Sequence, residues 1–86
     1  MTTKELFEKA VADSKLLTSR PDNETLLKLY SLYKQATEGD ADEDEAPSNP
    51  FDFVGKAKFT AWAEKKGISA DDAMTQYAAL VESLKK

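Results

Sequence analysis

The chain has no cysteine and no histidine. Disulfides, thiol nucleophiles, histidine general bases and zinc-finger ligand sets are excluded together, and the composition fits a reducing compartment. The longest apolar runs are only a few residues. That is too short for a signal peptide or a membrane-spanning helix, so a soluble cytoplasmic protein is expected. Glycine and proline are scarce, with three of each. There is no glycine-rich phosphate loop, and the few breakers mark boundaries between elements. No segment alternates with period two over a useful length, so no strand is expected and no internal repeat is visible. Nucleic acid is not an expected partner, because the formal net charge of −4 leaves no sustained cationic footprint.

What is present fits one small globule. Eighty-six residues make a single domain, 1–86, since two cores would each fall below the size that folds unaided. The charge is separated along the chain. Glu38, Asp40, Asp42, Glu43, Asp44 and Glu45 stand together without a base; they are six of the sixteen acids, so the rest of the chain carries ten acids against twelve bases. Such a run is ordinarily a solvated loop. Asp40, Asp42 and Asp44 are not followed by the glycine and terminal glutamate of an EF-hand, so no metal site is expected.

Helical periodicity defines four segments. From Leu6 to Leu17 the residues Leu6, Phe7, Ala10, Val11 and Leu17 recur at helical spacing, broken by charged side chains. Pro21 then ends one element and Asp22 is placed to cap the next, which runs to about Thr37 with Gly39 suited to a left-handed stop. Residues 41–50, with Pro47, Asn49 and Pro50, read as a loop. A third helix is expected from near Asp52 to Lys66, with Phe53, Val54, Ala57, Ala61 and Trp62 on one stripe, Lys65 and Lys66 in its last turn, and Gly67 as a stop. Ser69, with Asp72 three residues on, suggests a capping box for the fourth, whose stripe is Ala73, Tyr77, Leu80, Val81 and Leu84. The fold class is therefore all-α, with four helices.

The second helix is too apolar for one buried face. Leu26, Leu27, Leu29, Tyr30, Leu32, Tyr33 and Ala36 cover far more than the roughly 100° stripe of a helix packed on one side. It must bury two faces or offer one to a ligand. Taken alone, Tyr30 and Tyr33 fit half-buried core residues with surface hydroxyls, and a single edge lysine fits a snorkelling stem. They are accompanied, however, by Lys34, by Lys15 on the first helix, by Lys58 on the third and by Tyr77 on the fourth. Lysines pair with phosphate, phenols donate to phosphate or ribose, and aromatic faces stack a purine, so the set suits a phosphorylated nucleotide-like ligand. Catalysis finds no activated nucleophile or base.

The stretches "YSLYKQATEGD" (Tyr30 to Asp40) and "GKAKFTAWAEKKGISADDAMTQY" (Gly55 to Tyr77), with "FEKA" (Phe7 to Ala10) and "RPDNETLL" (Arg20 to Leu27) in register, closely resemble the acyl-CoA-binding protein family over nearly the whole chain. The resemblance implies a four-helix up-down-down-up bundle that binds medium- to long-chain acyl-CoA non-covalently, as a monomeric intracellular carrier and pool former without catalysis or cofactor. It implies that Tyr30, Lys34 and Lys58 hold the ribose 3′-phosphate, that Tyr33 contacts the adenine region, that Lys15 assists with head-group charge and that Tyr77 closes the nucleotide site. Ser31 and Leu32, inside the same run, count among its ligand-binding positions, and Leu26 and Leu27 line its acyl path. Transient contact with acyl-CoA-using enzymes or membranes is a further implication.

Three departures stand out. Phe59 replaces the family's common tryptophan, Val54 stands where many relatives have lysine, and the loop from Asp40 to Pro50 is longer and more acidic than usual. A helical adaptor that recruits a protein through its leucines is the competing reading, although it does not require the lysines and tyrosines. A thioesterase lacks its nucleophile.

Overall fold

The computed structural model describes residues 2–85. Four α-helices follow in order: α1 Thr3–Ser14, α2 Asn23–Glu38, α3 Phe53–Ala63 and α4 Ala70–Leu84, with a single 3₁₀ turn, Glu43–Glu45, in the α2–α3 connection. Among the described residues there is no strand. Each start has a local chemical cause. Thr2 and Glu5 form a reciprocal capping box on α1, while Asp22, Asp52 and Ser69 accept backbone N–H groups at the starts of α2, α3 and α4. The expected box at Ser69 is half present: its hydroxyl accepts from the Asp72 N–H at 3.1 Å.

The contacts fix the helix directions. Lys85 at the end of α4 pairs with Asp13 at the end of α1 at 2.7 Å, so these two helices run parallel. Phe7 near the start of α1 stacks on Tyr33 in the second half of α2, centroids 5.9 Å apart, so α2 runs the opposite way. Lys58 lies over Tyr30 and Lys34 over Trp62, which sets α3 parallel to α2. The bundle is up-down-down-up.

α4 packs on both α1 and α2, and α3 packs on α2. Phe7, Ala10, Leu29, Leu32, Ala36, Ala73, Tyr77 and Val81 form one buried cluster drawn from α1, α2 and α4. The expected stripe of α4 is largely observed, with Ala73, Tyr77 and Val81 buried and Leu80 and Leu84 packed against them. In α1, Phe7 and Ala10 are buried, but Leu6 is exposed and Leu17 lies beyond the helix, which stops at Ser14.

α3 departs most from expectation. It ends at Ala63, so Lys65 and Lys66 lie in the following turn instead of facing the helix dipole from its last turn. Its supposed stripe is not a buried one: Phe53 is 72% and Val54 67% exposed, and Ala57 is exposed too. The helix packs on α2, with Trp62 buried in its second half while Phe53 and Val54 of its first turn stay exposed.

Polar contacts tie α3 and the connections to α2. Gly39 ends α2 with φ 79° and ψ −152°, a positive-φ conformation open to glycine but outside the left-handed helical region expected for it. Its carbonyl thereby accepts the Trp62 indole N–H at 2.8 Å. Gln35, buried at the end of α2, donates to the Asp40 carboxylate and to the Ile68 carbonyl, each at 2.8 Å. The same Asp40 oxygen accepts the Gly67 N–H at 2.9 Å, so one carboxylate joins the end of α2 to the α3–α4 turn.

Candidate ligand site

The aromatic and cationic side chains of α2 divide between two depressions that meet at Tyr30. The first, about 250 Å³, is lined by Ser14, Leu17, Pro21, Leu26, Leu29, Tyr30, Tyr33 and Tyr77. The second, about 230 Å³, is lined by Tyr30, Lys34, Lys58, Gly55, Phe59 and Trp62, with Glu45 and Pro47 from the loop. Residues three or four apart share a helical face, which explains how α2 presents Leu26, Tyr30, Tyr33 and Lys34 along one side while Leu29, Leu32 and Ala36 enter the core.

Two of the apolar lobe's rings, Tyr33 and Tyr77, form an aromatic cluster with the core residue Phe7. Tyr77 meets Phe7 edge-on at 5.2 Å and lies 6.4 Å from Tyr33. Its hydroxyl, at the end of a 5% exposed side chain, donates to the Ser14 hydroxyl at 3.3 Å. Tyr33 is 40% exposed and offers a face to solvent. The lobe therefore has greasy walls from Leu17, Pro21 and Leu26, and polar tips from tyrosines and a serine. Such a surface suits a hydrocarbon segment or an aromatic base.

The second lobe is cationic. The Lys58 ammonium stands 5.2 Å from the Tyr30 ring centroid and the Lys34 ammonium 4.8 Å from that of Trp62, contacts that hold both charges over aromatic faces. Lys34 also donates to Glu38, one helical turn on. That hydrogen bond raises its pKa above the usual lysine value; desolvation opposes the rise, and the nearby charges of Glu38 and Glu45 add to it. The Lys34 ammonium thus stays charged at neutral pH, as phosphate recognition needs. Gly55 makes room for a start to α3 right beside this lobe. The Asp52 carboxylate folds back to accept the Gly55 N–H at 2.9 Å, and a Cβ at Gly55 would collide with it.

The structure brings Tyr30, Tyr33, Lys34, Lys58, Tyr77 and Leu26 to the two lobes. Lys15 is an exposed C-cap of α1, between the lining residues Ser14 and Leu17 but not itself a wall. Leu27 is half-buried and lines neither lobe. Ser31 and Leu32 point inward: Ser31 is 0% exposed and donates to the Lys28 carbonyl at 2.9 Å, and Leu32 belongs to the core. A third depression, between α1 and α4 and lined by Leu6, Lys9, Ala10, Asp13, Val81 and Lys85 among others, contains none of the sequence candidates. Among the described residues no cluster of three or more acids is placed to hold a metal ion, and no helix is long and apolar enough to cross a membrane.

A family model described as acyl CoA binding protein matches residues 4–81. The chain belongs to the acyl-CoA-binding protein family. Acyl-CoA-binding protein homolog 1 of Caenorhabditis elegans is 51% identical over 78 residues, which cover 91% of this chain and 88% of the relative. The homolog from Manduca sexta is 46% identical over 84 residues, covering 98% and 92%. In three dimensions the crystal structure of acyl-CoA-binding protein 2 from Oryza sativa matches with a TM-score of 0.86 at 35% identity, covering 96% of this chain and 90% of that one.

For this member of the acyl-CoA-binding protein family, sequence reasoning missed several lining residues. Ser14 and Leu17 lie at and just beyond the end of α1, Pro21 just ahead of α2 and Leu29 within it, and the helical period could have grouped Leu29 with the core but not with a lobe. Glu45 and Pro47 line the cationic lobe from the α2–α3 connection, a placement no periodicity records.

Proposed function

We propose that the chain binds medium- to long-chain acyl-CoA esters non-covalently and acts as their carrier and pool former. The meeting of a cationic lobe and an apolar lobe at Tyr30 carries the reading. A ligand that spans both must have a phosphorylated end and a greasy end, as acyl-CoA does. In this reading Tyr30, Lys34 and Lys58 receive the ribose 3′-phosphate, Tyr33 faces the adenine region, Tyr77 backs it from α4 and Leu26 borders the acyl path. Ser31 and Leu32 pack on the core side of α2, and Leu27 and Lys15 stand next in the chain to the lining residues Leu26 and Ser14. Phe59 lines the cationic lobe where relatives commonly have tryptophan, keeping an aromatic wall.

The energetics divide in the same way. Burying each methylene contributes about 0.8 kcal/mol, so a long chain supplies much of the affinity. The lysines select the coenzyme over a bare fatty acid.

The chain acts without catalysis or a bound cofactor, as a cytoplasmic monomer that touches acyl-CoA-using enzymes or membranes in passing. Phe51, Phe53 and Val54, exposed just ahead of Gly55, are the surface that such contact would use. Calorimetric titration at fixed salt, with acyl-CoA below its micelle threshold, tests the reading. One-to-one binding of palmitoyl-CoA far tighter than of CoA or palmitate is expected. No saturable binding would overturn it in favour of a helical adaptor.

A further inference from the structure

The carboxylates of the α2–α3 connection are not spread evenly around it. Asp40 pins the start of the connection through Gln35 and Gly67. Asp42 then caps the 3₁₀ turn, its carboxylate accepting the Asp44 N–H at 3.0 Å while the Glu45 carboxylate accepts the Asp42 N–H at 3.4 Å. Within this turn Glu45 lines the cationic lobe with Lys34 and Lys58. Glu43, in the same turn, is exposed and lines no part of it. From the helix side Glu38 holds the Lys34 ammonium directly. Two carboxylates therefore bear on Lys34, Glu38 in direct contact and Glu45 as a nearby charge in the lobe it shares with Lys58.

We propose that Glu45, together with Glu38, is a built-in anion of the cationic lobe that the ligand's 3′-phosphate must displace, which makes Glu45 an affinity-setting residue. The inference rests on the acyl-CoA reading. A phosphomonoester carries close to two negative charges at neutral pH, about −1.5 to −2. It can outcompete single carboxylates for two lysines, yet it must break the Lys34–Glu38 pair and meet the Glu45 charge as it enters. The lobe then binds less tightly than its two lysines alone would allow, which suits a carrier that has to release its cargo. Exposed charges of this kind are screened by salt, so the opposition is largest at low ionic strength.

The test compares dodecanoyl-CoA with its 3′-dephospho analogue on the full chain, by calorimetry at about 0.01 M and about 0.15 M salt, where screening lengths are roughly 30 Å and 8 Å. Glu45→Gln keeps an acceptor for the Asp42 N–H while removing the charge. It is expected to tighten dodecanoyl-CoA by roughly 2–5-fold at the lower salt, the range of exposed charge interactions, and by less at the higher. Glu38→Gln, which leaves the loop untouched, should act in the same direction. The dephospho ester should bind all variants alike. Glu43→Gln, an equal change in net charge away from the lobe, should match the unsubstituted chain. Equal gains from Glu45→Gln and Glu43→Gln, equal gains for the two esters, or weaker binding after Glu45→Gln would each overturn the proposal. Failure of the unsubstituted chain to bind dodecanoyl-CoA would instead overturn the acyl-CoA reading, and this proposal with it.

Discussion

Helices α1, α2 and α4 share a cluster of eight buried side chains, whereas among the described residues α3 contributes one buried side chain, Trp62. Yet α3 supplies Lys58, Phe59, Gly55 and Trp62 to the cationic lobe, half of its walls. The three-helix layer is held by continuous apolar burial; α3 is held by an indole ring, its hydrogen bond to the Gly39 carbonyl and the cation–π contacts around it. The cationic lobe therefore lies outside the eight-residue core, whereas the apolar lobe borrows Leu29 and Tyr77 from it. A site needs polar groups at its surface, and a helix that buried all its large side chains would have nothing left to offer a ligand.

Truncating one anchor in each region should sharpen that contrast. Leu32→Ala opens a cavity in the three-helix core and should cost about 2–5 kcal/mol of unfolding free energy, with the acyl-CoA affinity of the protein that remains folded unchanged. Trp62→Ala should cost about 3–5 kcal/mol and also remove most of the binding, since the indole both docks α3 and walls the lobe. Urea unfolding and calorimetry on the same samples separate the two. Lost affinity in folded Leu32→Ala would break the division, and would place Leu32 at the ligand.

A smaller effect is expected from Lys58, which among the described residues has no carboxylate within ion-pair distance. Lys58→Met should leave the urea midpoint in place and weaken acyl-CoA binding roughly tenfold, about the effect of one charge-assisted contact. A shifted midpoint with unchanged affinity would assign Lys58 to stability instead.

The smallest concerns acid. The Gly67 N–H, then the Gln35 amide, hold the Asp40 carboxyl below the usual aspartate value of 3.8, with desolvation opposing and Lys66 assisting. Because the folded-state value is depressed, the stability it confers is present above the usual aspartate range and is lost as pH falls through the depressed value. Asp40→Asn should lower the urea midpoint at neutral pH and flatten its decline on the acid side. An acid limb of unchanged slope would remove Asp40 from the link between α2 and the α3–α4 turn.

Much of this organisation was legible in the residues themselves. The period of α4, the Asp22 cap and the glycine after α2 all act through nearest neighbours, so local patterns report them. The surplus of apolar and phenolic residues on α2 required a second face, either buried or offered to a ligand; α2 packs on both α3 and α4, and Tyr30 and Lys34 line the depression beside α3. The stripe assigned to α3 failed because period alone marks a face without saying what covers it, and nothing in the fold covers Phe53 or Val54. Ser31 and Leu32 stand between tyrosines in the sequence but more than a quarter of a turn from each around the helix, which turns them inward. Glu45 was out of reach altogether, since the return of a loop is set by tertiary bonds such as those of Asp40.

The central claim is that ligand crosses from the cationic lobe to the apolar lobe past Tyr30, on the side of α2 away from the α1–α4 groove. Amide chemical-shift mapping by heteronuclear NMR during titration with palmitoyl-CoA tests it most directly. The largest shifts should fall at Leu26, Tyr30, Tyr33, Lys34, Lys58 and Phe59, with Lys9, Ala78 and Glu82 in the α1–α4 groove little changed. Shifts concentrated at Lys9, Ala78 and Glu82, with Tyr30 and Lys58 unmoved, would contradict it.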